Sequence, residues 1–182
     1  MDDVVVVSRN VRMGEFACCS APGDVLLTIG LGSCIGLVLL DQRTTVAGLA
    51  HIVLPGPRVS STREPGKFAD YAVPALIAQA VGIGANRSSL EAVLVGGASM
   101  FAFNAPGLSS MDVGQRNAEV VRAELEQARI PVREASTGGT KGRTVRVHVA
   151  DRTVMVKEAG GPELELWTGR PVSARPRRGV PA

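Results

Sequence analysis

The chain has 182 residues, of which 45% are hydrophobic and only 3% are aromatic, and its formal net charge is +3. This length fits one globular domain with an aliphatic core, and no stretch has the apolar length that a membrane helix needs. The basic excess lies near the end of the chain rather than in a stripe interleaved with aromatic residues, which argues against nucleic-acid binding.

The cysteine pattern indicates a reducing environment. Cys18, Cys19 and Cys34 form no CxxC pair, which argues against both a disulfide framework and a zinc site. The start of the chain is acidic, and its apolar run at residues 4–7 is too short for a signal peptide. We therefore expect a cytoplasmic protein without a metal or a cofactor.

Short apolar runs separated by turn residues predict strands in the first part of the chain. They cover residues 4–7, 16–19, 25–31, 35–40 and 46–54. The last two runs are expected to pair as a hairpin. Cys34 would then open one strand, and His51 would lie on the next.

Two helices are predicted in the middle of the chain. The first begins near Asp70 after a polar loop at residues 58–66 and ends near Gly82 or Gly84. Its apolar face is Phe68, Ala72, Ala75, Leu76 and Ile83. The second begins at a capping box formed by Asp112 and Gln115 and ends at Pro131. Its apolar stripe is Ala118, Val121, Leu125 and Ala128.

Further strands are predicted on either side of and beyond the second helix. They cover residues 92–95, 131–135, 144–149, 153–157 and 163–167. The fold class is therefore α/β, in a single domain over residues 1–168. Residues 169–182 are rich in proline and arginine, and we predict a disordered basic tail there.

Cys34 lies in the most unusual segment of the chain, residues 28–36, where three glycines surround a cysteine between two apolar runs. A tight glycine-rich turn can direct backbone N–H groups at a developing oxyanion, and each such donor contributes on the order of 3 kcal/mol. The segment also fits a nucleophile elbow, but a helix should follow an elbow, and strand-like residues follow here. The pattern favours acyl-transfer chemistry at the cysteine.

A cysteine nucleophile needs a base, because the thiolate is the attacking species. His51 lies in an apolar stretch where burying an idle imidazole would be costly, whereas His148 alternates with valines on a polar strand face. His51 is therefore the candidate base. The residues alone leave a second interpretation open, in which Cys34 is a small core residue and His51 is a hydrogen-bonded core histidine.

Six motifs follow one another in a specific order along the chain. They are residues 28–34, AHIVLP at 50–55, GKFAD at 66–70, GGASMF at 96–101, GQRN at 114–117 and TGGTKGR at 137–143. The series closely resembles the chemoreceptor glutamine deamidase family, CheD, from about Gly14 to Lys157. The glycine-rich stretch at 138–143 taken alone lacks the P-loop spacing and is typical of a turn.

The resemblance implies hydrolysis of selected glutamine side chains of methyl-accepting chemotaxis receptors to glutamate, with release of ammonia. It places the family's catalytic cysteine at Cys34, its histidine at His51 and its active-site threonine at Thr28. It also implies a layered α/β sandwich of the cysteine-hydrolase type, akin to the cytotoxic necrotizing factor toxins. Some relatives bind a CheC-type phosphatase, and that contact would fall around Phe101 and Phe103.

The expected mechanism begins when His51 takes the proton from Cys34, whose thiolate attacks the carboxamide. The backbone N–H groups of Ser33 and Cys34 are expected to hold the oxyanion, and the hydroxyl of Thr28 to orient the imidazole. Four basic residues could contact acidic residues around the receptor's target glutamines, or could be solvated loop charges. They are Lys67, Arg116, Lys141 and Arg143.

Two other functions remain open at this point. A cysteine peptidase or a transglutaminase-like enzyme would share the acyl-enzyme step, and product identity would distinguish it from a deamidase. A non-catalytic adaptor would bind receptor or phosphatase through a dead site, but the presence of Cys34, His51 and Thr28 argues against it.

Overall fold

The structure is a computed structural model, and it describes residues 7–56, 64–99 and 113–169. The strands in these ranges are β1 (Val7–Asn10), β2 (Phe16–Cys19), β3 (Asp24–Leu31), β4 (Ile35–Asp41), β5 (Ala47–Ile52), β6 (Leu90–Gly96), β7 (Val132–Thr137), β8 (Arg143–His148), β9 (Thr153–Glu158) and β10 (Glu163–Thr168). The helices are α1 (Ala69–Gly82) and α2 (Val113–Gln127).

The strands form two mixed five-stranded sheets. The outer sheet has the order β1-β3-β8-β9-β10, and the inner sheet has the order β2-β5-β4-β6-β7. Neighbouring strands are antiparallel except for the β1–β3 and β6–β7 pairs, which are parallel. Strands β4 and β5 are paired from Ile35–Ile52 to Leu40–Ala47, which confirms the predicted hairpin.

The two sheets and the two helices stack as three layers, helices on the inner sheet and inner sheet on the outer sheet. One apolar cluster joins α1 and α2 to the inner sheet through residues such as Leu37, Leu76 and Leu125. A second cluster joins the two sheets through residues such as Leu26, Val38 and Val147. The layered α/β class predicted from the sequence is confirmed.

Strand β4 is buried along its whole length, because it lies in the middle of the inner sheet with helices on one face and the outer sheet on the other. Such a strand needs apolar residues at successive positions rather than alternation, which explains the continuous run that precedes Asp41. Among the described helices, neither has the length and apolarity required to cross a membrane.

Most predicted elements agree with the observed ones within a few residues. One part of the prediction for α1 is wrong: Ile83 is 42% exposed, and Val73 and Ile77 are buried instead. The helix has already ended at Gly82, so Ile83 no longer follows the helical face. The first half of the capping box, the loop at 58–63, the phosphatase contact and the tail from 170 onward lie outside the described residues.

Candidate active site

Thr28, Cys34 and His51 lie in the layer between the two sheets. Their exposed fractions are 0%, 8% and 1%. Thr28 belongs to β3 of the outer sheet, His51 belongs to β5 of the inner sheet, and Cys34 lies in the turn that leads into β4. The site is therefore built across the interface of two sheets rather than on one of them.

A β-bulge in β3 shapes the approach to this site. The pairing of β3 with β8 shifts register between Thr28 and Leu31, and Gly30 adopts a φ of 77° that favours glycine. Ile29 is consequently 57% exposed, whereas Leu31 returns to the interior. The bulge lets both Thr28 and Leu31 face the inner sheet while the residues between them reach the surface.

Hydrogen bonds define the tautomer of His51. The hydroxyl of Thr28 donates its only proton to the backbone oxygen of Val11, at 2.7 Å. The hydroxyl oxygen of Thr28 lies 2.8 Å from Nδ1 of His51, and with its own proton already donated it accepts from an Nδ1–H group. In the neutral ring the proton is thus on Nδ1, and Nε2 carries a lone pair.

The lone-pair nitrogen of His51 is unusual for a buried polar atom. Nε2 is fully buried and has no hydrogen-bond partner among the described residues. Burial lowers the pKa of His51, and the nearby backbone carbonyl of Val11 opposes that shift only in part. The ring is therefore neutral near pH 7, with a bare acceptor available for a proton.

Cys34 and His51 share one face of the β4–β5 pair. Gly36 lies directly opposite His51, and Cys34 precedes Gly36 by two residues. Cys34 precedes β4 by one residue and packs in the cluster between the two sheets, the same layer in which His51 bonds to Thr28. The structure forms no hydrogen bond from Nε2 to the thiol. Catalytic hydrogen bonds are often absent in the free enzyme and form with substrate.

Gly36 leaves room for the outer-sheet side chains of this site. A Cβ atom at this position would lie 2.7 Å from a methyl of Leu31 and 3.6 Å from the methyl of Thr28. The first distance is shorter than real Cβ contacts allow. A side chain here would force the terminal methyl of Leu31 to move, so the glycine allows Leu31 to pack next to Thr28.

The turn that carries Cys34 is held by the chain after β6. The carbonyl of Cys34 accepts from the N–H of Gly97 at 2.8 Å, and the carbonyl of Gly32 accepts from that of Ala98 at 2.7 Å. At Gly96, which has a φ of 110°, a Cβ would lie 2.2 Å from the oxygen of Cys34. Both the positive φ and the close approach explain the glycine.

The backbone donors beside the thiol are not used elsewhere in the described structure. No backbone hydrogen bond from the N–H of Ser33 or Cys34 is formed within the described ranges. Burial raises the pKa of the Cys34 thiol, and its own backbone N–H opposes that shift. The thiol is therefore protonated near pH 7, and a base would be needed to form the thiolate.

Asn117 is a buried residue of the site region to which the sequence analysis assigned no role. It lies on α2, is fully buried, and donates from Nδ2 to the carbonyls of Ser33 and Val53, both at 2.9 Å. A sequence signal was present: Asn117 lies four and eight residues before Val121 and Leu125, on the apolar face of the predicted helix. A polar residue on that face requires buried partners.

The four candidate substrate-binding cations differ in their surroundings. Arg143 is only 7% exposed, forms an ion pair with Glu158 at 2.9 Å and donates to the carbonyl of Gly138 at 2.7 Å. These contacts favour a structural role, because its charge is already neutralised. Arg116 and Lys141 are exposed.

Lys67 is half-buried and forms an ion pair with Glu64. Its backbone carbonyl accepts from the N–H groups of Val53 and Leu54, at 2.9 and 2.8 Å. The segment containing Lys67 thereby holds the chain just after His51. Within the described residues, no group of three His, Cys, Asp or Glu side chains converges as a metal site would require.

Comparison with known proteins identifies a family. The family model described as CheD chemotactic sensory transduction matches residues 53–158. The chain is 40% identical over 148 residues to a probable chemoreceptor glutamine deamidase CheD of Methanococcus vannielii, covering 81% of this chain and 93% of that protein. It is 39% identical over 163 residues to the protein of the same name from Moorella thermoacetica, covering 88% and 97%.

A similarity to a solved structure is weaker. The crystal structure of Bacillus licheniformis hypothetical protein YfiH aligns with a TM-score of 0.40 and 11% identity, covering 66% of this chain and 51% of that one. A similarity of this degree does not bear on the fold, which is defined by the sheet order and layers of the chain itself.

Proposed function

This chain belongs to the CheD family, and we propose that it deamidates glutamine side chains of methyl-accepting chemotaxis receptors through a thioester on Cys34. The names of the relatives support the reaction and the class of substrate. The hydrogen bonds around His51 support the mechanism. The three free thiols agree with a reducing cytoplasmic location.

The main support for this mechanism is that the Nε2 atom of His51 has no hydrogen-bond partner among the described residues. A histidine kept only for structure is expected to have both ring nitrogens paired when it is buried. His51 has one nitrogen held by Thr28 and the other bare, on the face that it shares with Cys34. This arrangement fits a general base better than a core histidine.

In the first step, Nε2 of His51 takes the thiol proton of Cys34, and the sulfur forms a bond to the glutamine carboxamide carbon. The electron pair of the C=O bond moves to oxygen. The backbone N–H groups of Ser33 and Cys34 stabilise this oxyanion, and neither is used in another backbone hydrogen bond within the described ranges.

In the second step, the C–N bond breaks. The imidazolium of His51 gives its Nε2 proton to the departing nitrogen, which leaves as ammonia, and the carbonyl re-forms as a thioester. Water then attacks the thioester carbon while His51 accepts one of its protons. The sulfur leaves, recovers that proton and releases glutamate, so that one water is consumed for each ammonia produced.

Thr28 supports His51 in both protonation states. Its oxygen accepts from Nδ1–H while its own proton is committed to the carbonyl of Val11. This chain of two hydrogen bonds holds the ring in one tautomer and one orientation, the role that an acid or an amide has in other triads. The hydroxyl adds no charge, so it leaves the pKa of His51 low.

Alternative functions are distinguished by their products. A peptidase would cleave the receptor, a transglutaminase-like enzyme would join it to an amine, and an adaptor would leave it unchanged. A CheC-type phosphatase stays a predicted partner, because the segment around Phe101 and Phe103 lies outside the described residues.

The test of the proposed reaction is to incubate the purified protein with the cytoplasmic fragment of a cognate receptor and to measure ammonia and intact mass. We expect ammonia equal in amount to the glutamines converted, with the receptor neither cleaved nor cross-linked. Cleavage of the receptor would favour a peptidase, and cross-linking would favour a transglutaminase-like enzyme. Binding without any product, tested over all cognate receptors, would favour the adaptor.

A further inference from the structure

The hydrogen bonds between β4 and β5 end where the active site begins. The last residue pair of the two strands in this direction is Ile35 with Ile52. Beyond it, the N–H of Val53 bonds to the carbonyl of Lys67 instead of continuing along β4. The segments that carry Cys34 and follow His51 therefore separate without a further backbone bond between them.

Asn117 replaces the missing bond. Its Nδ2 group donates to Ser33, the residue before Cys34, and to Val53, two residues after His51. Both distances are 2.9 Å, and the side chain is fully buried. One amide group on a helix thus joins the two chain segments at the point where they leave the sheet.

We propose that Asn117 is a positioning residue that fixes the separation of the Cys34 turn from His51. The proposal rests on the proposed function, in which these two residues exchange a proton. The side chain acts through the backbone of Ser33 and Val53. A displacement of either segment would lengthen the path from the thiol to Nε2 of His51, and proton transfer is sensitive to such displacements.

The acceptor atom of the same amide group has no partner. Oδ1 of Asn117 is fully buried and has no hydrogen-bond partner among the described residues. An unpaired buried carbonyl is destabilising, and a leucine would fill similar space without one. The residue is therefore kept for its two donors rather than for packing or for general stability.

The test compares variants of Asn117 with a control on the same helix face. Asn117→Leu removes both donors and keeps the number and branching of the side-chain heavy atoms, and Asn117→Ser is a smaller neutral variant in case the first fails to fold. Val121→Ala is the matched control, because Val121 is also fully buried one turn later and packs only in the helix–sheet cluster. All variants are compared at temperatures where each is folded.

Two rates are measured. The first is deamidation of the receptor fragment, separated into kcat and KM. The second is alkylation of Cys34 by iodoacetamide between pH 5 and 9, followed by peptide mass mapping, which requires no substrate. We expect the Asn117 variants to lose roughly 10- to 100-fold in kcat with little change in KM, because a displaced dyad fails mainly in the chemical step. We also expect slower alkylation of Cys34 at neutral pH.

The outcomes separate this inference from the proposed function. If the Asn117 variants match Val121→Ala in kcat and in Cys34 alkylation, the residue is only structural and the inference is wrong. If the unaltered protein fails to deamidate any cognate receptor, or if Cys34→Ala still deamidates, the proposed function is wrong. In that case the alkylation profiles alone still decide whether Asn117 positions the thiol.

Discussion

The β4–β5 hairpin has buried polar side chains at both ends, and the two ends use them differently. At the turn end, the carboxylate of Asp41 accepts from the hydroxyls of Ser89 and Thr44 and from the N–H groups of Arg43 and Asn86. At the open end, His51 and Asn117 each keep one buried polar atom without a partner within the described residues.

The difference separates a polar group that stabilises the fold from one that is available for chemistry. Burial alone would raise the pKa of Asp41, but the hydrogen bonds, first among them that of Ser89, outweigh it and lower the pKa. At His51 burial prevails and lowers the pKa, which keeps the ring neutral. The carboxylate at the turn end is satisfied by the protein itself, whereas Nε2 of His51 has no partner among the described residues.

The largest expected effect is the loss of the base. His51→Gln should lower kcat/KM for receptor deamidation by roughly 10³- to 10⁴-fold, because general-base catalysis is lost while the fold is kept. Mass spectrometry of the receptor fragment measures the rate. His148→Gln is the control, since His148 is a partly buried residue of β8, in a pair with Val25 and Thr153. Equal rates for the two variants would contradict the assignment.

Loss of the hydrogen bond from His51 to Thr28 should have a smaller effect on the rate of deamidation. Thr28→Val removes the hydroxyl that holds Nδ1 of His51 and should lower kcat by roughly 10²-fold, because the tautomer and the ring orientation are no longer fixed. Thr28→Ser keeps the hydroxyl and should retain most of the activity. A valine variant with kcat near that of the serine variant would show that the hydrogen bond between Thr28 and His51 is dispensable.

The turn end should respond in stability instead of rate. Asp41→Asn places an amide N–H₂ among donors that need an acceptor, and it should lower the free energy of unfolding by about 2–3 kcal/mol. Urea denaturation measures this change, and kcat should stay within about twofold of the unaltered value. A large loss of kcat in the folded variant would mean that the two ends are coupled.

The stability contributions of the two ends of the β4–β5 hairpin should depend on pH in different ways. Unfolded His51 binds a proton near its ordinary pKa of 6.5, whereas the folded ring binds it only at lower pH. Stability should therefore fall as pH drops below 6.5 towards the folded pKa, and His51→Gln should remove that part of the loss. The acid limb of kcat/KM should also lie below 6.5, and a limb above it would contradict the pKa direction.

Asp41 stabilises the fold in its charged form, whereas His51 is neutral in the folded protein. Its folded pKa is below the ordinary value of 3.8, so its stabilising contribution is present above that pH and is lost as pH falls through the folded pKa. Thermal denaturation of the Asp41→Asn variant between pH 2 and 7 should show the smallest difference from the unaltered protein at the acid end. A constant difference at all pH values would contradict this origin.

The smallest expected effect concerns substrate contacts. Arg116→Glu should raise KM for the receptor fragment by roughly two- to fivefold with kcat unchanged, as expected for an exposed ion pair. Arg122→Glu is the control, because Arg122 is also exposed on α2 but lies farther along the helix from Asn117. Similar KM values for the two variants would show that Arg116 is a solvated charge.

Local pattern was sufficient to predict the elements that carry the dyad. The apolar runs around Cys34 and His51 and the turn between them predict two adjacent strands, and the structure has them in β4 and β5. His51 lies within β5 as predicted, whereas Cys34 lies in the turn one residue before β4 rather than opening that strand.

Contacts between distant segments could not be predicted in the same way. The bond from Thr28 to His51 depends on how two sheets stack, and the bond from Thr28 to Val11 depends on where the chain after β1 runs. Arg143 lies next to a glycine-rich turn, which suggests exposure, yet it is buried against Glu158 of the neighbouring strand. Such pairings are set by tertiary packing, which a single sequence does not display.

The role of Cys34 as nucleophile is tested most directly by mass spectrometry of a receptor's cytoplasmic fragment co-expressed with the unaltered protein, with Cys34→Ala or with Asp41→Asn. Conversion of an amide to an acid adds roughly one dalton per glutamine, and this chemistry requires the thiolate. We expect the mass gain with the unaltered protein and with Asp41→Asn, and none with Cys34→Ala. A gain that persists without Cys34 would mean that the nucleophile lies elsewhere and that the thioester mechanism on Cys34 is wrong.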